Sequence, residues 1–82
     1  MEKGFVKKNM KLSLDFDRYI SRNPRVLSSI PNGAWLVFTK KGDDNFNRMS
    51  WTIAWKIKAN KQKVIEARKE GNKWKVSKFA YA

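Results

Sequence analysis

Residues Gly33 to Asn47 read GAWLVFTKKGDDNFN, an apolar run followed by a glycine turn and an acidic helix start. From Ala34 to Thr39 every residue is apolar or β-branched on both parities, the pattern of a strand covered on both faces. Such a strand is expected in the middle of a sheet. Gly42 allows the turn. Asp43, Asp44 and Asn45 can accept hydrogen bonds from the free N–H groups of a first helical turn, where negative charge also suits the helix dipole. The stretch therefore reads as the first strand of a small α/β unit feeding a helix.

Working outward, the helix opened by Asp43 to Asn45 extends to about Asn60. At ~100° per residue Phe46, Met49, Ser50, Ile53 and Ile57 share one side, the expected core face. Trp51 and Trp55, one turn apart, project away from it, beside Arg48 and Lys58. Past Lys61, KVIEARK reads as a second strand, Gly71-Asn72 as a two-residue hairpin turn and KWKVSKF as a third strand. With that turn, Glu70 faces Lys73, Arg68 faces Lys75 and Ala67 faces Val76. Ile65, Ala67, Trp74 and Val76 then share the core face. The other face carries Val64, Glu66, Arg68, Glu70, Lys73, Lys75, Ser77 and Phe79, and is expected to be wet unless the first helix covers part of it. Arg68 and Lys75 are like charges directly opposed, a placement that costs stability. Phe79, Ala80 and Tyr81 are expected to close the edge of the apolar layer.

Upstream, Leu12, Phe16, Tyr19 and Ile20 recur at helical spacing between Met10 and Arg22, with Asp15, Asp17, Arg18 and Arg22 opposite. Asn23-Pro24 supplies a cap and a first-turn proline for a short second helix, Arg25 to Ile30, tucked in by Val26, Leu27 and Ile30. Pro31-Asn32-Gly33 turns the chain into the strand. Residues 1–9 read as a loose N-terminal arm. The expected order is α, short α, β, α, β, β. This is an α/β (α+β) domain of two or three layers, with two parallel strands and the third antiparallel to the second.

The 82 residues make one domain, with enough apolar content (41%) to build a core. No cysteine and no histidine are present, which removes disulfides, thiolate chemistry and the commonest base and zinc ligand. No apolar run approaches the ~20 residues of a membrane span. The start MEKGFVKKNM lacks a secretory apolar stretch, so the expected location is the cytoplasm and no membrane partner is expected. Nineteen Lys and Arg against seven acids give a net charge of +12. Residues 45–82 hold ten of the bases and only two of the acids, so an anionic partner is expected to meet the C-terminal half.

KNMKLSLDFDRYISRNPRVLSSIPNGAWLVF, followed by DDNFNRMSWTIAW and a later KVIEA, resembles the signature of a family of small uncharacterised prokaryotic domains, many from thermophiles. The matching features are Asn9, Phe16, Tyr19, Asn23-Pro24, Ile30-Pro31, Gly33-Ala34, Asp43-Asp44, Phe46-Asn47 and Ala54. The resemblance implies a shared fold and brings no activity, cofactor or catalytic residue with it.

Asp43 and Asp44 lie past the carboxyl end of the first strand, where a carboxylate pair can hold Mg²⁺, but capping of the helix accounts for both. No glycine-rich phosphate loop is present, and neither a cofactor nor a metal is expected. Lysines interleaved with aromatics in KEGNKWKVSKF point to nucleic acid, held through its backbone by Arg68, Lys73, Lys75 and Lys78 without base readout. Trp74, alternating with lysines, reads as a core residue. The alternative is a protein-interaction module, a weak homodimer or a complex with an acidic protein, formed through Trp51 and Trp55. A third class is a histidine-free ribonuclease in which lysines, arginines and a tyrosine stabilise charge.

Overall fold

The computed structural model of the chain describes residues 3–79. Its elements are helix α1 (Lys3–Arg22), a 3₁₀ helix (Pro24–Ser29), strand β1 (Trp35–Lys40), helix α2 (Asp44–Ala59), and strands β2 (Val64–Glu70) and β3 (Lys73–Lys78). The order and the mixed three-stranded sheet are those expected from the pattern of apolar residues. β1 pairs in parallel with β2, and β2 antiparallel with β3. The hairpin register is also as expected, with Glu70 opposite Lys73, Arg68 opposite Lys75 and Ala67 opposite Val76. Gly71 makes the turn at φ +65°, a conformation that costs a residue without Cβ little.

The strand order is β1-β2-β3, so β1 is an edge strand and β2 the central one. The expectation that β1 sits in the middle of the sheet is corrected here. Val37, Phe38 and Thr39 are covered on both faces because a helix lies against each, not because strands flank them, whereas Trp35, also expected to be covered, is 54% exposed. On one face Phe38 packs with Leu12 and Phe16 of α1, together with Ala67 and the half-buried Trp74 and Val76. On the other, Val37 packs with Ala54 of α2, Val64 and Phe79. The result is a three-layer α/β/α domain. Trp74 is a core residue, its ring centroid 5.0 Å from that of Phe16.

The free edge of β1 is closed by α2. Lys40 N–H donates to Asn47 Oδ1 at 2.8 Å, and Asn47 Nδ2 donates to the Lys40 carbonyl at 2.8 Å. The amide thus imitates one residue of a neighbouring strand and satisfies backbone groups that point away from β2.

The phase of α2 also differs from expectation. Its buried residues are Phe46, Asn47, Ser50 and Ala54, so the buried side is rotated by about 60° from the Phe46–Ile53–Ile57 stripe. Close approach to β1 requires small side chains, and Ala54 and Ser50 supply them. Larger residues straddle that line. Met49 and Ile53 join the α1-side cluster, while Trp51 and Ile57 join the α2-side cluster.

The N-terminal segment is not a loose arm in the described residues. α1 starts at Lys3, and Phe5 is buried, stacked on Phe46 with ring centroids 5.0 Å apart. One aromatic anchor at the right helical phase extends the helix by two turns. Leu27, expected to be tucked in, is 52% exposed; Val26 and Ile30 do pack on the core. It is α2, not α1, that covers part of the basic sheet face. Ala80 and Tyr81, expected to close the apolar edge, lie outside the described residues. No helix among the described residues is long and apolar enough to cross a membrane.

Asn47→Ala should destabilise the domain by about 2–3 kcal/mol in urea unfolding, because two backbone groups at a covered edge lose their partners. Ser50 Oγ is buried without a hydrogen-bond partner among the described residues, so Ser50→Ala should be neutral or stabilising by up to about 1 kcal/mol in the same assay.

Candidate functional site

Strand alternation decides which of the expected cationic residues meet. Arg68, Lys73 and Lys75 are on the α2 side of the sheet, with Arg68 and Lys75 directly opposite each other. Lys78 pairs with Ile65 and follows Trp74 and Val76 in parity, which places it on the α1 side at the far end of the hairpin. Three of the four residues share a surface and Lys78 does not.

That surface is the half of the sheet that α2 leaves open. Its floor includes a depression of about 150 Å³ lined by Glu66, Arg68, Lys75 and Ser77. Thr39, fully buried, donates its hydroxyl to Glu66 Oε2 at 2.6 Å, and Arg68 Nε donates to Thr39 Oγ1 at 3.5 Å. The Arg68 guanidinium also lies 3.4 Å from Glu66 Oε2. Glu66 thus offsets the repulsion between Arg68 and Lys75 and fixes the arginine's fork.

Trp51 of α2 borders the same surface. The Arg68 guanidinium lies 6.0 Å from the Trp51 ring centroid, at the outer limit of a cation–π contact. Trp51 is half-buried. Trp55 is 46% exposed and meets Phe79 edge-on at 6.5 Å. Trp51, expected to stand apart from the sheet, instead borders the basic floor beside Arg68, while Trp55 meets Phe79 past the end of β3. The helical phase deduced from large apolar residues concealed this, because it centred the helix on the wrong side chains.

Asp43 caps α2, accepting from Phe46 N–H at 3.3 Å, as the sequence predicts. Lys8 Nζ bonds its Oδ2 at 2.8 Å. This bond, helped by the Phe46 N–H and the charge of Lys40, holds the carboxyl below the usual aspartate range. Asp15 is lowered in the same way, chiefly by its hydrogen bond to Lys69, with Arg18 and Lys11 adding to it. No group of three or more potential metal-binding side chains occurs among the described residues. Both ion pairs line a second concavity, between α1 and the ends of β1 and β2. Its α1 cations, Lys8, Lys11 and Arg18, were missed because Lys8 fell within the supposed arm, although their spacing of three and seven already marks one side of a helix.

A family model describing a family of unknown function, DUF5647, matches residues 4–79. The chain belongs to this family. The match takes in nearly all of α1 and every later element described above. Comparisons with curated proteins and with solved structures found no match.

The two lowered aspartates imply an acid-side stability dependence. Their folded pKa values lie below the unfolded value of about 3.9, so their contribution is fully present above that value and is lost as pH falls through the folded values. Denaturant titrations between pH 7 and pH 2 should show the double variant Asp15→Asn, Asp43→Asn less stable than the native chain at neutral pH. The difference should shrink towards zero at the acid end.

Proposed function

We propose that the domain is a non-catalytic module that binds single-stranded nucleic acid across the open half of its sheet. The reading rests on one observation: the Arg68 guanidinium lies beside Trp51 on the sheet face that it shares with Lys75, one helical turn from the exposed Trp55. Cations spaced along a groove neutralise successive phosphates, and an exposed indole offers a face on which any base stacks. Lys73 continues the cationic track at the hairpin end. Binding of this kind follows the backbone and is indifferent to sequence, since no side chain is required to read a base edge.

A contact between two chains has less support. Trp51 is partly used inside its own chain, against Arg68 and the α2-side cluster, and Trp55 meets Phe79, so both indoles already have contacts within the chain. The net charge of +12 would also oppose pairing of two copies.

Retention of single-stranded RNA or DNA at low salt should fall steeply as salt rises, with a slope near −0.7 in log K against log salt for each phosphate contact. The triple variant Arg68→Gln, Lys73→Gln, Lys75→Gln should flatten the slope by about two units. Trp55→Ala should weaken binding by about tenfold while leaving the slope unchanged, because stacking is not screened by salt. RNA should be recovered intact. Cleavage without added metal would overturn the non-catalytic reading, and absence of retention at low salt would overturn nucleic-acid binding altogether.

A further inference from the structure

On the α1 side of the sheet, away from Trp51 and Arg68, a cleft of about 610 Å³ opens at the carboxyl ends of β1 and β2. That size is within the range of small-molecule sites, and the ends of parallel strands are where open α/β sheets hold ligands. Leu12 and Phe46, both buried, supply an apolar floor. The rim is cationic. Lys8, Lys11 and Arg18 come from one side of α1, and Lys40 and Lys69 are register partners at the ends of β1 and β2.

Two carboxylates also line the cleft, and each is already committed. Asp15 is paired with Lys69, and Asp43 with Lys8. Lys11, Arg18 and Lys40 make no ion pair among the described residues. Five positive charges therefore converge on one concavity against two carboxylates, and Lys11, Arg18 and Lys40, which reach those carboxylates only through longer-range attraction, carry the excess. Their mutual repulsion opposes folding. An anion that enters between them removes that cost.

We propose that this cleft binds the oligophosphate group of a small ligand. Arg18 would present its fork to two phosphate oxygens, while Lys11 and Lys40 would act as point charges on neighbouring phosphates. The Leu12 and Phe46 floor would meet whatever uncharged part the ligand carries. This site does not depend on the nucleic-acid reading, which uses the opposite face of the sheet. The same chemistry is offered by a nucleoside triphosphate and by an inorganic oligophosphate.

The test is isothermal titration of the full chain, at low salt and without metal, with inorganic tripolyphosphate and separately with ATP. Both should bind. Lys11→Gln, Arg18→Gln and Lys40→Gln should each weaken binding by about tenfold, and the triple variant should abolish it. A charge-matched control, Lys56→Gln, Lys61→Gln, Lys63→Gln, lies outside the cleft and should change affinity by less than about threefold. The thermal midpoint of the cleft triple variant should equal or exceed that of the native chain, since a repulsion has been relieved; should it fall, the single variants carry the test. Tighter binding of ATP would identify a nucleotide as the ligand and show that the floor contributes, whereas equal binding would identify inorganic oligophosphate. Either result supports the site. Absence of binding by both ligands, or equal losses in the cleft and control variants, would overturn it.

Discussion

The bidentate pairing of the Asn47 amide with the backbone of Lys40 is the constraint on which the arrangement of this domain depends. A three-stranded sheet has two edges, and one of them here is the strand with the most continuous apolar run. Such an edge invites pairing with another chain. Asn47 occupies the bonding groups at its carboxyl end, and the small residues Ser50 and Ala54 let α2 lie close along the strand. With α2 held over β1, it cannot also cover β3. The open half of the sheet, with Arg68, Lys73 and Lys75, follows from where the helix is fastened.

Much of this was legible in the chain, for reasons that differ from element to element. The β2–β3 register followed from a single two-residue turn, because a period of two leaves no freedom once Gly71 and Asn72 are assigned. Asp43 was legible as a cap because short acceptors at a helix start have one dominant use. The edge position of β1 was not, because a run of apolar residues records coverage of both faces without saying whether strands or helices supply the neighbours. The phase of α2 misled because large apolar residues dominate a periodicity argument, while the line of closest contact was drawn by Asn47, Ser50 and Ala54.

The surface residues divide in the same manner. The opposition of Arg68 and Lys75 followed from strand pairing alone, but the Glu66–Thr39 network that makes it tolerable needs the parallel register of β1 with β2, which pairs Thr39 with Arg68. Placing Lys78 with Lys73 and Lys75 overlooked that its even position turns it to the opposite face. The side of α1 that bears Lys8, Lys11 and Arg18 was visible as a spacing. What it faces became apparent only with α1 laid across the ends of β1 and β2.

The stack of Phe5 on Phe46 joins the first turns of α1 to the first turn of α2 across half the chain. Beyond it, the amino-terminal part of α1 is held by the ion pair of Lys8 with Asp43, and no other described residue before Leu12 is buried. A segment secured by one ring is a separate unit of local opening. Its amides would exchange with solvent without unfolding the sheet, while those of β2, bonded on both sides, would wait for global unfolding. Opening of that unit would uncover Phe46 and withdraw Lys8 from Asp43, so access to the end of the sheet is tied to the breathing of two helical turns and not to the stability of the whole domain.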